Sequence, residues 1–146
     1  MLLWSGKRLL AAVLMPGLSS GRSWTAGRAG AEVADWYDQL CQDDWGSADQ
    51  VENAIDMLAQ VGPTLGRPLV DRIKGADNHH LKELRPGSSK GSEIRILFAF
   101  DPVRRAVLLV AGDKAGNWDH WYDTNIPMAE KRYAEHIAEL ASREYE

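Results

Sequence analysis

From Glu32 onward the hydrophobic positions fall into regular periods, and those periods predict the elements. Val33, Trp36, Tyr37, Leu40 and Cys41 recur at helical spacing and form one stripe of an amphipathic helix that stops near Asp43-Asp44-Trp45-Gly46. A second helix is expected from Ser47, where S-A-D-Q has the form of a capping box with Ser47 as N-cap and Gln50 three residues on. Val51, Ala54, Ile55 and Leu58 carry its apolar stripe, and Gly62-Pro63 closes it. The segment PLVDRI and then LKELR read as short extended pieces, the latter followed by a PGSSKGS loop. Ile94, Ile96, Phe98 and Phe100 alternate with Arg95, Leu97 and Ala99, the period of a strand buried on one face. RAVLLVAGD is nearly continuously apolar and predicts a central strand covered on both sides. Pro102 presets the tight turn that makes these two strands an antiparallel hairpin. Trp118, Trp121 and Tyr122 are spaced for a single helical turn whose aromatics cap the end of the sheet. The last helix is expected to open at Asn125-Ile126-Pro127, with Ile126, Ala129, Tyr133, Ile137 and Leu140 as its buried stripe. The fold class that follows is α+β: a small antiparallel sheet of three to four strands, packed by an N-terminal helical hairpin and a C-terminal helix.

Composition changes this picture little, whereas charge changes it more. A chain of 146 residues with 45% hydrophobic content makes one domain with a substantial core, and no stretch is long enough to cross a bilayer. Cys41 is the single cysteine, so no internal disulfide forms, which fits a reducing compartment. The net charge of -4 hides a segregation. Residues 32–66 carry eight acids and no Lys or Arg, while residues 67–116, the sheet region, carry ten bases against six acids. An anionic ligand therefore has a preferred face to approach. Residues 1–31, with Lys7 and Arg8 before a short apolar run and then a Ser/Gly/Arg-rich tract, read as a disordered or mis-started extension rather than a targeting segment. The domain is then expected to span residues 32–146.

The segments RPLVDRIKG, HHLKELRPG, SEIRILFAFDP, AVLLVAGDKAGNW and NIPMAEKRYAEHIAEL, in this order and spacing, resemble the RelE/ParE superfamily of type II toxin-antitoxin toxins, in its HigB-like, phage-derived branch. The likeness covers about three quarters of the chain, from Glu32. It implies a RelE-like sheet flanked by helices. It also implies a ribosome-dependent endoribonuclease acting on mRNA, without metal or cofactor. A cognate antitoxin of helix-turn-helix type and a cytoplasmic location follow from the same resemblance. Such toxins open with an edge strand, but WTAGRAGA here has small residues and glycines where apolar ones should alternate, so that strand is expected to be degraded or absent.

Cutting RNA without a metal requires a 2'-hydroxyl made nucleophilic, a pentacoordinate phosphate stabilised and a 5'-oxygen protonated as it leaves. Arg95 is the first candidate for the phosphate, because a guanidinium is permanently charged and its planar fork matches phosphate oxygens. A salt bridge to Glu83 or Glu93 is the competing reading. Arg85 could contact the same phosphate; Lys82 is a further substrate-binding candidate, although the strand period sets it on the other face from Arg85. Lys114 could stabilise the transition state or move a proton, and Tyr122 is the better candidate for proton transfer among His79, His80, Tyr122, Tyr133 and His136. Trp118 offers a face on which a base can stack. His79 and His80 beside Asp77 lack a second cluster at ligand spacing, so no metal is expected. Two other functions stay open: a non-enzymic inhibitor of a protein target such as gyrase, and a catalytically inactive interaction module.

Overall fold

A computed structural model describes residues 25–29, 31–74, 80–88 and 91–144. The first 24 residues, and with them most of the expected extension, lie outside it, as does His79. Helices α1 (Ala31–Asp43) and α2 (Trp45–Val61) form the expected acidic hairpin. Val33 and Tyr37 of α1 and Val51, Ala54, Ile55 and Leu58 of α2 are buried together. The second helix starts before Ser47. Asp44 is its N-cap, with one carboxylate oxygen accepting from the Ser47 amide at 3.2 Å and the other from the Ser47 hydroxyl at 2.6 Å. A capping aspartate two residues ahead of Gly46 thus takes the place expected of the serine, whose amide and hydroxyl both donate to it. Gly62, at φ 76°, ends α2 and its amide donates to the Leu58 carbonyl, as the Gly-Pro pair required.

Five strands among the described residues form one sheet in the order β1-β5-β4-β3-β2. They are β1 (Thr25–Ala29), β2 (Val70–Arg72), β3 (Lys82–Leu84), β4 (Ile94–Phe100) and β5 (Arg105–Asp113). The last four pair antiparallel, in keeping with the expected α+β class. The strand expected to be degraded or absent is present: Thr25 pairs with Arg105, Ala26 with Ala106 and Ala29 with Leu108, in parallel. An edge strand is held by its backbone, so apolar alternation is not needed, and its glycine falls where the register shifts between Ala26 and Ala29.

Both faces of the sheet are covered. Ile94, Ile96 and Phe98 pack with Leu84 and Leu108 under the helical hairpin. Leu97, Ala99, Val107 and Leu109 pack with Trp121, Ala129 and Tyr133 of α3 (Trp118–Glu144) on the other side. The reading of β4 as buried on one face is corrected accordingly: Leu97 and Ala99 are fully buried. A second correction concerns α3, which is one helix from Trp118 with Pro127 inside it, rather than a turn followed by a helix opening at Asn125. Proline in a helix interior forfeits a hydrogen bond and costs about 3 kcal/mol. Apolar anchors on both sides of it, Trp121 before and Ala129 and Tyr133 after, seat the two halves on one sheet face. No helix among the described residues is long and apolar enough to cross a membrane.

Candidate functional site

Strand parity and one irregularity build the site. On β3, Glu83 pairs with Leu97 and so faces α3, while Lys82 pairs with Phe98 and faces the hairpin. Arg85, just past β3, returns to the α3 face, where its guanidinium reaches Glu83. On β4, Arg95 shares that face and pairs with Gly112. The register shifts opposite Leu97 and Phe98, whose partners are Val110 and Leu108, so Leu109 is an extra residue on β5. This bulge inverts the parity of everything after it and brings Lys114 to the α3 side, where an unbroken strand would have left it under the hairpin. The Arg132 guanidinium of α3 donates to the Leu109 carbonyl at 2.7 Å, satisfying the bulge. Gly112 is needed opposite Arg95, since a Cβ there would stand 2.8 Å from the Trp121 indole nitrogen.

After Lys114 the chain turns through Gly116, at φ 74°, with the Asn117 amide donating to the Lys114 carbonyl at 3.0 Å. The turn leads directly into α3. Trp118 therefore lies over Lys114, the ammonium nitrogen 3.2 Å from the ring centre, and Tyr122, one turn later, lies 5.5 Å from it. Lys114 is 1% exposed. Burial, with Arg95 second, holds its pKa below the usual lysine value.

Glu83, also buried, sits between the cations. One oxygen is 2.8 Å from Arg85 Nε and 3.6 Å from Arg95 Nε, and the other accepts a hydrogen bond from the Tyr122 hydroxyl. Burial, and then that bond, push the Tyr122 pKa up to about 12. The bond to Glu83 holds the Arg85 guanidinium above its usual pKa. Arg95 donates from Nη1 to the Ile94 carbonyl at 2.8 Å, but its Nε has no hydrogen-bond acceptor among the described residues. Around this group opens a cleft of about 370 Å3, with Arg67, Arg72 and Lys74 on its rim beside Arg85, Trp118 and Tyr122.

Of the six candidates, Arg85, Lys114, Trp118 and Tyr122 line the cleft, while Arg95 lies on the same sheet face behind Glu83 and does not line it. Lys82 is separated from them: its ammonium donates to the Pro63 carbonyl at 3.2 Å and lies 5.6 Å from the Phe100 ring, on the hairpin side. The ion pair between Arg95 and Glu83, the competing reading of that arginine, is formed. Tyr133 is core, its hydroxyl on the Phe100 carbonyl; His136 is buried 2.8 Å from Asp101; His80 lies beside the Tyr133 ring. None of these three lines the cleft. Glu83 is the residue that sequence reasoning treated only as a counter-ion. Its one signal was a carboxylate flanked by Lys82, Leu84 and Arg85 in an otherwise apolar sheet.

The family described as "Phage derived protein Gp49-like" matches residues 43–134, which hold every residue of the cleft. The chain belongs to this family. It is 54% identical over 101 residues to "Putative toxin HigB3" of Mycobacterium tuberculosis, covering 69% of this chain and 83% of that protein. It is 46% identical over 117 residues to "Putative toxin HigB2" of the same organism, covering 80% of this chain and 56% of that protein. The HigB-like branch indicated by the motifs is therefore the chain's own, and the protein is a HigB-type toxin homologue.

Proposed function

We propose that this Gp49-like protein is the toxin of a toxin-antitoxin pair and cuts mRNA on the ribosome by metal-independent transesterification. The observation that carries the reading is the convergence of Arg85, Arg95 and Lys114, from three successive strands or their ends, on one face beside Tyr122. A scissile phosphate gathers negative charge as it becomes pentacoordinate, and preorganised cations at that point stabilise it. Arg85 offers the reachable guanidinium, with its side chain 36% exposed, and Arg95, paired with Glu83 behind it, adds positive charge to the same face. In the reaction the 2'-oxygen bonds to phosphorus as the bond to the 5'-oxygen breaks; one proton leaves the first oxygen and another reaches the second. Lys114, whose pKa burial holds below the usual lysine value, and Tyr122, whose hydroxyl is held by Glu83, are the groups on this face through which those protons pass. Trp118, half exposed at the cleft mouth, offers a stacking face to a neighbouring base.

The partners in this reading are ribosome-bound mRNA and a cognate antitoxin of helix-turn-helix type, in the cytoplasm; no cofactor enters. A purified translation system with ribosomes and a defined mRNA tests it. Cuts within translated codons are expected, and their loss in a folded Arg95→Ala protein. Intact mRNA with the native protein, together with inhibited supercoiling by purified gyrase, would overturn the nuclease reading in favour of a non-enzymic inhibitor. Inactivity in both assays would leave an interaction module.

A further inference from the structure

We infer that Glu83 is the positioning residue of the cleft, registering the Tyr122 hydroxyl on α3 against the Arg85 and Arg95 guanidiniums on the sheet. Its consequence for cutting rests on the nuclease reading above; its existence rests on geometry alone. Glu83 is 3% exposed, and a carboxylate taken out of water persists only where donors surround it. Its two oxygens divide the work. Oε1 takes Arg85 Nε at 2.8 Å and faces Arg95 Nε at 3.6 Å, while Oε2 takes the Tyr122 hydroxyl. Because the Nε edge of Arg85 is spent on Glu83 and its Nη1 lies 3.7 Å from Asp71, the Nη2 side remains for a ligand. The contact with Tyr122 ties β3 to a helix 39 residues later in the chain. It thereby sets where the first turn of α3, with Trp118 over Lys114, rests on the sheet. With both oxygens engaged beneath the cleft, Glu83 does not touch substrate. Its action passes through the groups it holds.

The test uses the full chain with Glu83→Gln, which keeps the shape and removes the charge, and with Glu83→Asp, which keeps the charge and withdraws it by one methylene. Two readouts are taken: the nuclear magnetic resonance of the Tyr122 ring carbons in protein made with labelled tyrosine, assigned with Tyr122→Phe, and cutting kinetics in the translation system. A displacement of reacting groups by about 1 Å costs on the order of a hundredfold in rate. Folded Glu83→Gln and Glu83→Asp are therefore expected to lose about ten- to a hundredfold in kcat with KM within about threefold, and to shift the Tyr122 resonance. An unmoved resonance in both variants would overturn the inference, as would a loss of cutting that only follows the unfolded fraction in thermal melts. Should Glu83→Gln not fold, Glu83→Asp carries the same two readouts. If the native protein cuts no RNA the nuclease reading falls, and the Tyr122 resonance alone still decides whether Glu83 holds the hydroxyl.

Discussion

Helix α3 presses two polar clusters against the same face of the sheet, and they are built from nearly the same parts. Near its start, Glu83 meets Arg85, Arg95 and the Tyr122 hydroxyl; further along, Asp101 meets Arg105 and His136, next to Tyr133. The second cluster is closed. Asp101 Oδ1 accepts from the Val103 and Arg105 amides at 3.1 and 2.9 Å, while Oδ2 meets Arg105 Nε at 3.3 Å and His136 Nε2 at 2.8 Å. The carboxylate ties off the turn between β4 and β5, where Arg104 adopts φ 66°, and it has no exposed surface. The first cluster is open: Arg85, with its side chain 36% exposed, lines the cleft beside Lys114 and Tyr122, and Trp118 is 54% exposed. A carboxylate with an arginine and an aromatic ring is thus no evidence of chemistry. What separates the two is whether the donors are consumed within the fold or left facing a space that a ligand can enter.

The contrast can be broken from either side. Asp101→Ala removes the acceptor on which Arg105 and His136 converge and should cost about 3–5 kcal/mol in urea denaturation, while the fraction still folded keeps its cutting activity. Arg95→Ala should do the reverse, lowering cutting by about a hundredfold or more. Its cost in stability should stay below that of Asp101→Ala, because Arg85 and Tyr122 remain on Glu83. If Arg95→Ala unfolds the protein instead, the open cluster is structural after all. Gly112→Val drives a side chain toward the Trp121 indole, 2.8 Å from the site of its Cβ, and should cost about 1–3 kcal/mol by thermal melts, with Trp121 fluorescence shifted.

The pH response sharpens the comparison. Tyr122 keeps its proton in the folded state up to about 12, against an ordinary value of 10.0. The stability this contributes is complete below pH 10 and is lost as pH rises through 12, because the unfolded phenol ionises while the folded one does not. Tyr122→Phe should therefore fall less steeply than the native protein in urea denaturations across that window. The smallest effect is expected of Trp118→Ala, which removes the ring over the Lys114 ammonium. With the ammonium buried and the ring half exposed, the cation-π contact is worth about 1–2 kcal/mol, so stability should fall only slightly, whereas KM for RNA should rise a few-fold.

Much of this molecule was legible before its structure. The stripes of the acidic hairpin, the strands around Glu83, Ile96 and Leu108, and the opposed faces of Lys82 and Arg85 all follow from period alone. Strand β1 was not legible, since an edge strand is secured by main-chain pairing to β5, and main-chain groups leave no mark in residue type. The continuity of α3 through Pro127 was hidden because a local rule for proline was overruled by anchors on either side of it.

The site shows the same division most sharply. Residue type determined that guanidiniums, ammoniums and a phenol would be available near the sheet, because the ten bases of residues 67–116 and Tyr122 fall in or near its strands. Which of them meet was decided by the extra residue at Leu109. In a run apolar on both faces, AVLLVAG, a one-residue slip changes no hydrophobic pattern, yet it turns Lys114 from the hairpin side to the side of Arg95. The burial of Glu83 among them was likewise settled only when α3 closed over the sheet, for a carboxylate becomes a hub through what surrounds it in space and not through its neighbours along the chain.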